Sequence, residues 1–290
     1  MSLSIGSDFE NFVKKLKLSE ENEKLKSSRY HSILKIINKH YYSLDDDSRH
    51  GLYVGSHGRG TDIYTSDIDI VVILPWSVYS RFNSRLGNKQ SDLLQEVKNV
   101  IKQTYSNTDI KGDGQVIVIR FSDGMVFEVV PAFEFDDNSF CYANSNNGGS
   151  WQHMDPRNEI KEFNLMDKEC NYNLKNFCKM LREWNKKNNV FLEGIVIDTM
   201  AYRFLSNYKY RKEKYFYYDW FSRDFFKFLI DSDNKSWNIP GGHWRVTPKY
   251  SYAKKAEKSY DDCIDAIGYA DKGYEYSYKM KWHEIYGSKF

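Results

Sequence analysis

The feature that most constrains the fold is a short apolar run with two carboxylates at its start. Residues 68–74 read Ile-Asp-Ile-Val-Val-Ile-Leu, with Asp67 before the run and Pro75 after it. An apolar run of this length predicts a buried strand. Asp67 and Asp69 are two residues apart, so on a strand both side chains point to the same face. Two carboxylates on an apolar strand repel each other and lose hydration, so they predict a compensating cation.

A third carboxylate lies in a segment that is predicted to form a hairpin. Residues 115–121 and 125–130 are strand-like and flank Ser-Asp-Gly at 122–124, a strong hairpin signal. Glu128 lies among apolar neighbours in the second strand, which we expect to end at Pro131. If this strand pairs with the Asp-x-Asp strand, three carboxylates converge, and such hard oxygen ligands suit Mg²⁺. The alternative is that the first Asp caps a turn and Glu128 faces water on an edge strand.

A glycine–serine pair upstream favours the functional interpretation. Gly55 and Ser56 follow a short strand predicted at residues 52–54 and precede the Asp-x-Asp strand. Glycine lets the backbone approach a phosphate closely, and backbone N–H groups together with a serine hydroxyl bind its oxygens. The order of strand, Gly-Ser, Asp-x-Asp strand and Glu-containing hairpin strand therefore predicts a site for a phosphate-bearing substrate and its metal ions.

Patterning along the chain predicts an α+β protein in three parts. Residues 1–45 have amphipathic helical periodicity and are predicted to be N-terminal helices that pack as a spine on both lobes. Residues 46–160 contain the predicted strands and a helix at 91–105, and we expect them to form a mixed-sheet core. Residues 161–290 are predicted to be a mainly helical second lobe, with an active-site cleft between the lobes. The Asn- and Gly-rich stretch at 144–150 predicts a loop or hinge.

Composition excludes several classes of protein. Charged residues make up 28% of the 290 residues, and no run approaches the ~18 apolar residues of a membrane-spanning helix. The first ten residues lack the basic flank and apolar core of a secretion signal. Forty-two basic and forty acidic residues leave a net charge of +2, so the bulk charge does not indicate nucleic-acid binding. The four cysteines form no CxxC pair, and we therefore expect reduced thiols in a cytoplasmic protein. The lack of a long apolar run predicts no membrane partner.

Six segments of the chain form a recognisable set. They are Gly-Ser-His-Gly-Arg-Gly-Thr at 55–61, Ser-Asp-Ile-Asp at 66–69, Gly-Asp-Gly-Gln-Val at 112–116, Phe-Glu-Val-Val-Pro-Ala-Phe at 127–133, Gly-Gly-Ser-Trp at 148–151 and Gly-Ile-Val-Ile-Asp-Thr at 194–199. Together they resemble the polymerase-β-like nucleotidyltransferases, and within them the bacterial cGAS/DncV-like enzymes (CD-NTases of the SMODS type) of CBASS anti-phage signalling systems. The superfamily usually has Asp as its third metal ligand, whereas Glu128 is one methylene longer.

The resemblance implies a polymerase-β-like nucleotidyltransferase core with a helical second lobe. It also implies an enzyme that joins nucleoside triphosphates, ATP among them, into a cyclic di- or trinucleotide second messenger. Two Mg²⁺ ions, with Mn²⁺ as a possible substitute, would be held by Asp67, Asp69 and Glu128. A separate effector protein would read the product, and we expect the synthase itself to be a monomer.

A row of basic residues follows one side of the helix predicted at 174–186. Lys175, Lys179, Arg182 and Lys186 recur at helical spacing opposite the apolar face, which is the usual pattern of a solvated surface. The family resemblance instead places Lys179 and Arg182 on the donor triphosphate. Together with Gly55 and Ser56, they complete the predicted substrate-binding set.

Two other functions remain open. The same metal chemistry would serve transfer of a nucleotide to an RNA end, a protein or a small molecule, and a catalytically silent sensor would bind nucleotide or nucleic acid without reaction. Three clustered carboxylates argue against the sensor, because they repel a polyphosphate unless a metal is present.

A nucleic-acid activator is a further possibility, since the N-terminal helices carry eight basic residues against three nearby glutamates at 20, 21 and 23. The alternative is a Lys-rich, solvated surface helix. The eight basic residues are Lys14, Lys15, Lys17, Lys24, Lys26, Arg29, Lys35 and Lys39.

Overall fold

The computed structural model describes residues 4–242 and 244–290, so the first three residues of the predicted N-terminal helices lie outside the described part. The chain divides into two compact units. The sheet unit comprises Ser19–Gly58 and Thr65–Ile160, and the helical unit comprises Met1–Leu18, Arg59–Tyr64 and Lys161–Phe290. One boundary between the units falls between residues 160 and 161, and the N-terminal helices are divided between the two units.

The chain begins with two helices, as its periodicity predicts. Helix α1 (Ile5–Lys15) belongs to the helical unit, and α2 (Glu20–Tyr42) belongs to the sheet unit. The side chain of Ser19 accepts a hydrogen bond from the backbone N–H of Asn22, which caps the start of α2. Glutamates in the first turn of α2 complement the helix dipole there.

The sheet unit contains three further helices and the strands that carry the predicted carboxylates. The helices are α3 (Gly55–Arg59), α4 (Trp76–Asn83) and α5 (Lys89–Thr104); the last residue of α3 is assigned to the helical unit. The strands are β1 (Gly51–Tyr53), β2 (Ile68–Ile73), β3 (Asp109–Asp113), β4 (Val116–Arg120), β5 (Val126–Glu134), β6 (Phe140–Asn144) and β7 (Ser150–Met154).

Within the described residues, these seven strands form one mixed sheet. The order β1-β2-β5-β4-β3 places the Asp-x-Asp strand beside the Glu128 strand, and β2 and β5 run parallel. The pairs β1–β2, β4–β5 and β3–β4 are antiparallel, and β6 and β7 extend the sheet from the far end of β5. The prediction of an α+β protein with a mixed sheet is confirmed.

Strand β5 does not end at Pro131, so that prediction is wrong. Pro131 is opposite Val72 in the parallel pair, and the strand continues to Glu134. The antiparallel partner of β5 changes at this point, because pairing with β4 stops at Val129 and pairing with β6 starts at Ala132. Proline lacks a backbone N–H, so a strand tolerates it where no neighbour needs that donor.

Alternation along β2 separates an apolar face from the face that carries the carboxylates. Ile68, Ile70 and Val72 are buried in a core with residues of α2 and α5. Asp69 and Val71 point to the opposite face, since successive side chains alternate on a strand. Helices α2 and α5 thus cover one side of the sheet, and the opposite side carries the carboxylates together with a small apolar cluster that includes Val71 and Ala132.

Strands β6 and β7 were not predicted. They form a hairpin, and the stretch at 144–150 is the loop that joins them, with a short 3₁₀ turn at Asn146–Gly148. The side chain of Asn88 donates to the backbone carbonyl of Ser145, which ties this loop to the start of α5. The predicted loop is therefore a hairpin connection inside the sheet unit.

The helical unit is built around a large apolar core. Helix α7 buries the face that the sequence predicts, including Leu174, Phe177, Leu181 and Trp184. No helix in the described ranges combines the length and apolar character that crossing a bilayer requires. The remaining elements are α6 (Pro156–Glu169), which begins in the sheet unit, α7 (Asn173–Lys187), α8 (Gly194–Asn207), α9 (Tyr218–Ile230), α10 (Ala253–Asp271), α11 (Glu275–Tyr286) and the strand pair β8 (Trp237–Asn238) and β9 (Arg245–Val246).

Candidate active site

The turn between β1 and α3 lies directly against a β2 carboxylate. The backbone N–H of Val54 donates to the carbonyl of Asp69 at 2.9 Å. Gly55 follows with a φ of +58°, and a β-carbon added there would lie 2.1 Å from Oδ2 of Asp69. Only glycine satisfies both the backbone conformation and the available space. The Gly-Ser pair is therefore in contact with a predicted metal ligand, and Ser56 is buried beside it in the chain.

The three predicted carboxylates lie on one face of the sheet. Asp69 is directly opposite Glu128 in the parallel β2–β5 pair, and Asp67 is two residues before Asp69. Burial raises the pKa of Glu128, the negative charge of Asp67 raises it further, and a hydrogen bond with the Asp69 carboxyl lowers it. The pKa of Asp67 is also raised by loss of hydration. These effects show that the three groups share one electrostatic environment.

Two charged residues on the neighbouring strands join this face, and the sequence analysis missed both. Val118 of β4 is opposite Glu128, so Arg120, two residues further on, lies on the same face. The positive charge of Arg120 lowers the pKa of Asp67 and of Glu128, while the negative charge of Asp113 raises the pKa of Glu128. Arg120 is an even number of residues from Val118, which was the signal for its position, but using it required knowledge that Val118 lies opposite Glu128. The position of Asp113 follows only from the β3–β4 register.

The donor set fits a divalent cation chemically. Three carboxylates supply hard oxygen ligands, and the lack of a side chain at Gly55 makes room for the Asp69 carboxylate. Across residues 4–242 and 244–290, no group of three or more His, Cys, Asp or Glu side chains is gathered in the geometry of a metal cage.

Lys179 and Arg182 lie in the helical unit, whereas Gly55, Ser56 and the carboxylates lie in the sheet unit. The Nζ of Lys179 donates to the backbone carbonyl of Asp62 at 2.6 Å and lies 3.6 Å from its carboxylate. Burial lowers the pKa of Lys179, and the charge of Asp62 opposes that shift. Lys179 is therefore a buried, paired ammonium and not part of a solvated surface.

Arg182 takes part in a buried cluster that the sequence analysis did not anticipate. Its Nη2 donates to Oδ2 of Asp198 at 2.7 Å, and the side chain of Asp198 is completely buried. Arg182 also donates to the carbonyl of Gly194 at 3.2 Å. A β-carbon at position 194 would lie 2.5 Å from the guanidinium, so the glycine makes room for it. The guanidinium thus has protein partners inside the helical unit.

Four of the eight N-terminal basic residues form ion pairs in the described part of the chain, namely Lys14, Lys26, Arg29 and Lys35. Lys14 and Lys26 bond to glutamates of their own helices. Arg29 forms a two-point contact with Asp123 and stacks 3.8 Å over the ring of Phe121. Such pairing reduces the local excess of positive charge that favours a nucleic-acid activator.

Comparisons with known proteins extend these observations. The family model described as Second Messenger Oligonucleotide or Dinucleotide Synthetase domain (SMODS) matches residues 1–166. A comparison with curated proteins gave no match.

Among solved structures, Vibrio cholerae DncV, a cyclic AMP–GMP synthase bound to the linear intermediate pppA(3′,5′)pG, is similar over 100% of this chain and 97% of its own, with a TM-score of 0.75 and 14% identity. Escherichia coli MS115-1 CdnC, solved with ATP, is similar over 98% of both chains, with a TM-score of 0.66 and 13% identity. Rhodothermus marinus CdnE, a c-UMP-AMP synthase, is similar over 91% of this chain and 96% of its own, with a TM-score of 0.58 and 11% identity.

The three structural likenesses establish the fold of a cGAS/DncV-like nucleotidyltransferase, as the sequence motifs predict. The family match covers more than half of the chain and includes the Gly-Ser turn and all three carboxylates. On that ground the chain belongs to the SMODS domain family, the Second Messenger Oligonucleotide or Dinucleotide Synthetases.

Proposed function

We propose that this chain joins nucleoside triphosphates into a cyclic oligonucleotide, most simply a cyclic dinucleotide. The observation that carries the proposal is the contact of Gly55 with Asp69, which is itself opposite Glu128. This arrangement, a glycine–serine turn beside a face of carboxylates, supports binding of a phosphate-bearing substrate with its metal ions. The chain shares its family with second-messenger synthetases, and two similar structures belong to enzymes that make cyclic AMP–GMP and c-UMP-AMP.

Nucleotidyltransferases of this type use divalent metal ions. We propose that Asp67, Asp69 and Glu128 hold two Mg²⁺ ions, for which Mn²⁺ can substitute. When bound, the ions would lower the pKa of the acceptor ribose hydroxyl and neutralise charge that develops at the donor α-phosphate. The pKa values of Asp67 and Glu128 are raised, so their negative charges are disfavoured at this face. A bound cation would stabilise those charges.

The residues of the chain bind and orient the donor. The hydroxyl of Ser56 and the backbone N–H groups of the turn would bind phosphate oxygens, and Gly55 allows their close approach. Lys179 would exchange its contact with Asp62 for the leaving pyrophosphate. Arg182 already binds Asp198, so we assign it first to the structure of the helical unit. Positioning and electrostatics supply most of the rate enhancement in such transfers.

Incubation of the chain with all four nucleoside triphosphates and Mg²⁺ or Mn²⁺ tests the proposal. A cyclic product resists phosphatase, because it has no terminal phosphate, and pyrophosphate is released with it. Asp69→Asn should abolish both, whereas Asp136→Asn, which changes an exposed carboxylate after β5, should not. A product that phosphatase degrades, or a nucleotide attached to RNA or protein, would instead indicate that the enzyme transfers a nucleotide to an acceptor. No pyrophosphate release would indicate a silent sensor.

We further propose that ATP is among the substrates and that a separate effector protein reads the product in bacterial anti-phage defence. The synthase would act as a cytoplasmic monomer. Ion pairing of half of the N-terminal basic residues favours activity that does not need RNA or DNA. Full activity of nuclease-treated protein, unchanged by added RNA or DNA, would agree with that view. If added RNA or DNA stimulates activity, and the stimulation falls steeply as the salt concentration rises, the hypothesis of a nucleic-acid activator would be supported instead.

A further inference from the structure

A six-residue segment between the two catalytic motifs is assigned to the helical unit. Residues on either side of Arg59–Tyr64 belong to the sheet unit. Arg59 is three residues after Ser56, and Tyr64 is three residues before Asp67. Three residues span at most about 10 Å, so a displacement of this segment also displaces the residues of both motifs.

Several side chains of the helical unit hold this anchor segment (Arg59–Tyr64). Asp198 accepts hydrogen bonds from Nε and Nη2 of Arg59, both at 3.1 Å, and from the hydroxyl of Thr61 at 2.6 Å. Lys179 binds the carbonyl of Asp62 at 2.6 Å, and the hydroxyl of Tyr64 lies 3.3 Å from the carboxylate of Glu183. The contacts are spread along the segment from its first residue to its last.

Asp198 is the centre of this arrangement. One of its oxygens, Oδ2, accepts hydrogen bonds from Arg59, Thr61 and Arg182. Burial by itself raises the pKa of Asp198, but the two guanidinium groups outweigh it and hold the pKa below its usual value. A completely buried carboxylate is stable as an anion only with such partners. The requirement for these partners fixes where the anchor segment lies on the helical unit.

We propose that Asp198 is a positioning residue for nucleotidyl transfer: through Arg59 and Thr61 it fixes the anchor segment and thereby the positions of Ser56 and Asp67. The expected effect on kcat rests on the proposed function, but the hydrogen bonds that hold the anchor segment to Asp198 do not depend on it. Reacting groups displaced by about 1 Å can lose on the order of a hundredfold in rate, so this link is relevant to catalysis.

Thr61→Val is the sharpest test, because it removes the hydroxyl that donates to Asp198 and keeps both the side-chain shape and the Asp198–Arg182 pair. The same hydroxyl accepts a long 3.4 Å contact from Arg182, which the variant also removes. We expect kcat to fall about tenfold or more with little change in KM, and Thr61→Ser to restore it. Thr199→Val is the matched control: Thr199 is equally buried on the same helix as Asp198, and its hydroxyl has no hydrogen-bond partner in the described part of the chain. It should leave kcat unchanged.

Hydrogen exchange gives a readout that does not depend on activity. Thr61→Val should speed amide exchange in residues 55–58 and 65–69 but not in β4, and Thr199→Val should not. An inactive wild-type chain would overturn the proposed function and leave this comparison valid. Arg59→Lys, which keeps the charge and loses the paired contact, is a second variant should Thr61→Val fail to fold. Wild-type kcat and exchange in Thr61→Val, or equal losses in Thr61→Val and Thr199→Val, would overturn the inference.

Discussion

Gly55 and Asp69 fit together so closely that a β-carbon at position 55 would lie 2.1 Å from Oδ2 of the carboxylate. The turn that is proposed to bind phosphate and the strand that is proposed to bind metal therefore constrain each other. The hydrogen bond from Val54 to the carbonyl of Asp69 fixes the same contact through the backbone. A change on either side of this contact should be transmitted to the other.

Gly55→Ala should abolish product formation. The substitution forces an alanine into a φ of +58° and places its methyl group against the Asp69 carboxylate. Gly124→Ala separates the two effects, because φ is +90° there and nothing lies within 4 Å of the added β-carbon. Both variants should lose about 1 kcal/mol of stability from backbone strain. Only Gly55→Ala should also lose more than a hundredfold in turnover, and equal turnover in the two variants would contradict the contact.

Glu128→Gln should separate stability from activity. The charge of Glu128 is opposed by burial and by Asp67, so its removal should not lower the melting temperature of the metal-free protein. Turnover should fall by orders of magnitude, and the stabilisation that Mg²⁺ gives in a thermal melt should disappear. Glu128→Asp tests the longer side chain, and retained activity there would mean that the extra methylene is tolerated but not required. A normal Mg²⁺ response in Glu128→Gln would remove Glu128 from the metal site.

Arg182→Ala and Lys179→Ala should have different effects. Loss of Arg182 leaves Asp198 buried with one guanidinium fewer, which should reduce the free energy of unfolding by about 3–5 kcal/mol. Lys179→Ala should mainly weaken binding of the donor triphosphate, by roughly tenfold to a hundredfold. Urea unfolding and nucleotide titration measure the two effects, with Lys187→Ala at an exposed position of the same helix as the control. Two variants that weaken nucleotide binding equally at normal stability would support a joint grip on the triphosphate.

Arg120→Met should increase the apparent affinity for Mg²⁺. Arg120 lowers the pKa values of Asp67 and Glu128, so it stabilises their negative charges and competes with a bound cation. Its exposed position limits the effect, and we expect the Mg²⁺ concentration for half-maximal activity to fall about twofold to fivefold. Lys111→Met, on the same face of β3 but paired with Asp109, is the control. A higher Mg²⁺ requirement in Arg120→Met would mean that Arg120 acts on the substrate.

Local sequence patterns were sufficient to predict which side chains of one strand share a face. Contacts between residues that are far apart in the sequence could not be predicted in this way. The two-residue period placed Asp67 and Asp69 on one face, but only the β2–β5 register placed Glu128 opposite Asp69. The sequence around Pro131 did not reveal that β5 changes its antiparallel partner there. Helical spacing placed Arg182 opposite the apolar face of α7, yet its partner Asp198 is 16 residues away on another helix. Such pairings depend on how the helices pack, which local periodicity does not encode.

The stability of the helical unit should depend on pH through Asp219. Its side chain is 5% exposed at the start of α9, and it accepts a hydrogen bond from the backbone N–H of Trp220.

Burial raises the pKa of Asp219 to about 6, and the hydrogen bond from Trp220 and the charge of Arg223 only partly oppose this. An unfolded aspartate has a pKa of about 3.9, so between these values the folded chain binds more protons than the unfolded chain. The free energy of unfolding should therefore decrease as the pH rises through this window and level off above about pH 6.

Asp219→Asn keeps the acceptor for Trp220 without the buried charge. It should be more stable than the wild type by roughly 2–3 kcal/mol near pH 7.5, and the difference should vanish near pH 4. Urea unfolding at a series of pH values measures the difference, with Asp261→Asn at an exposed site on α10 as the control. A stability difference that does not change with pH would show that Asp219 is not protonated in the folded protein at mildly acidic pH.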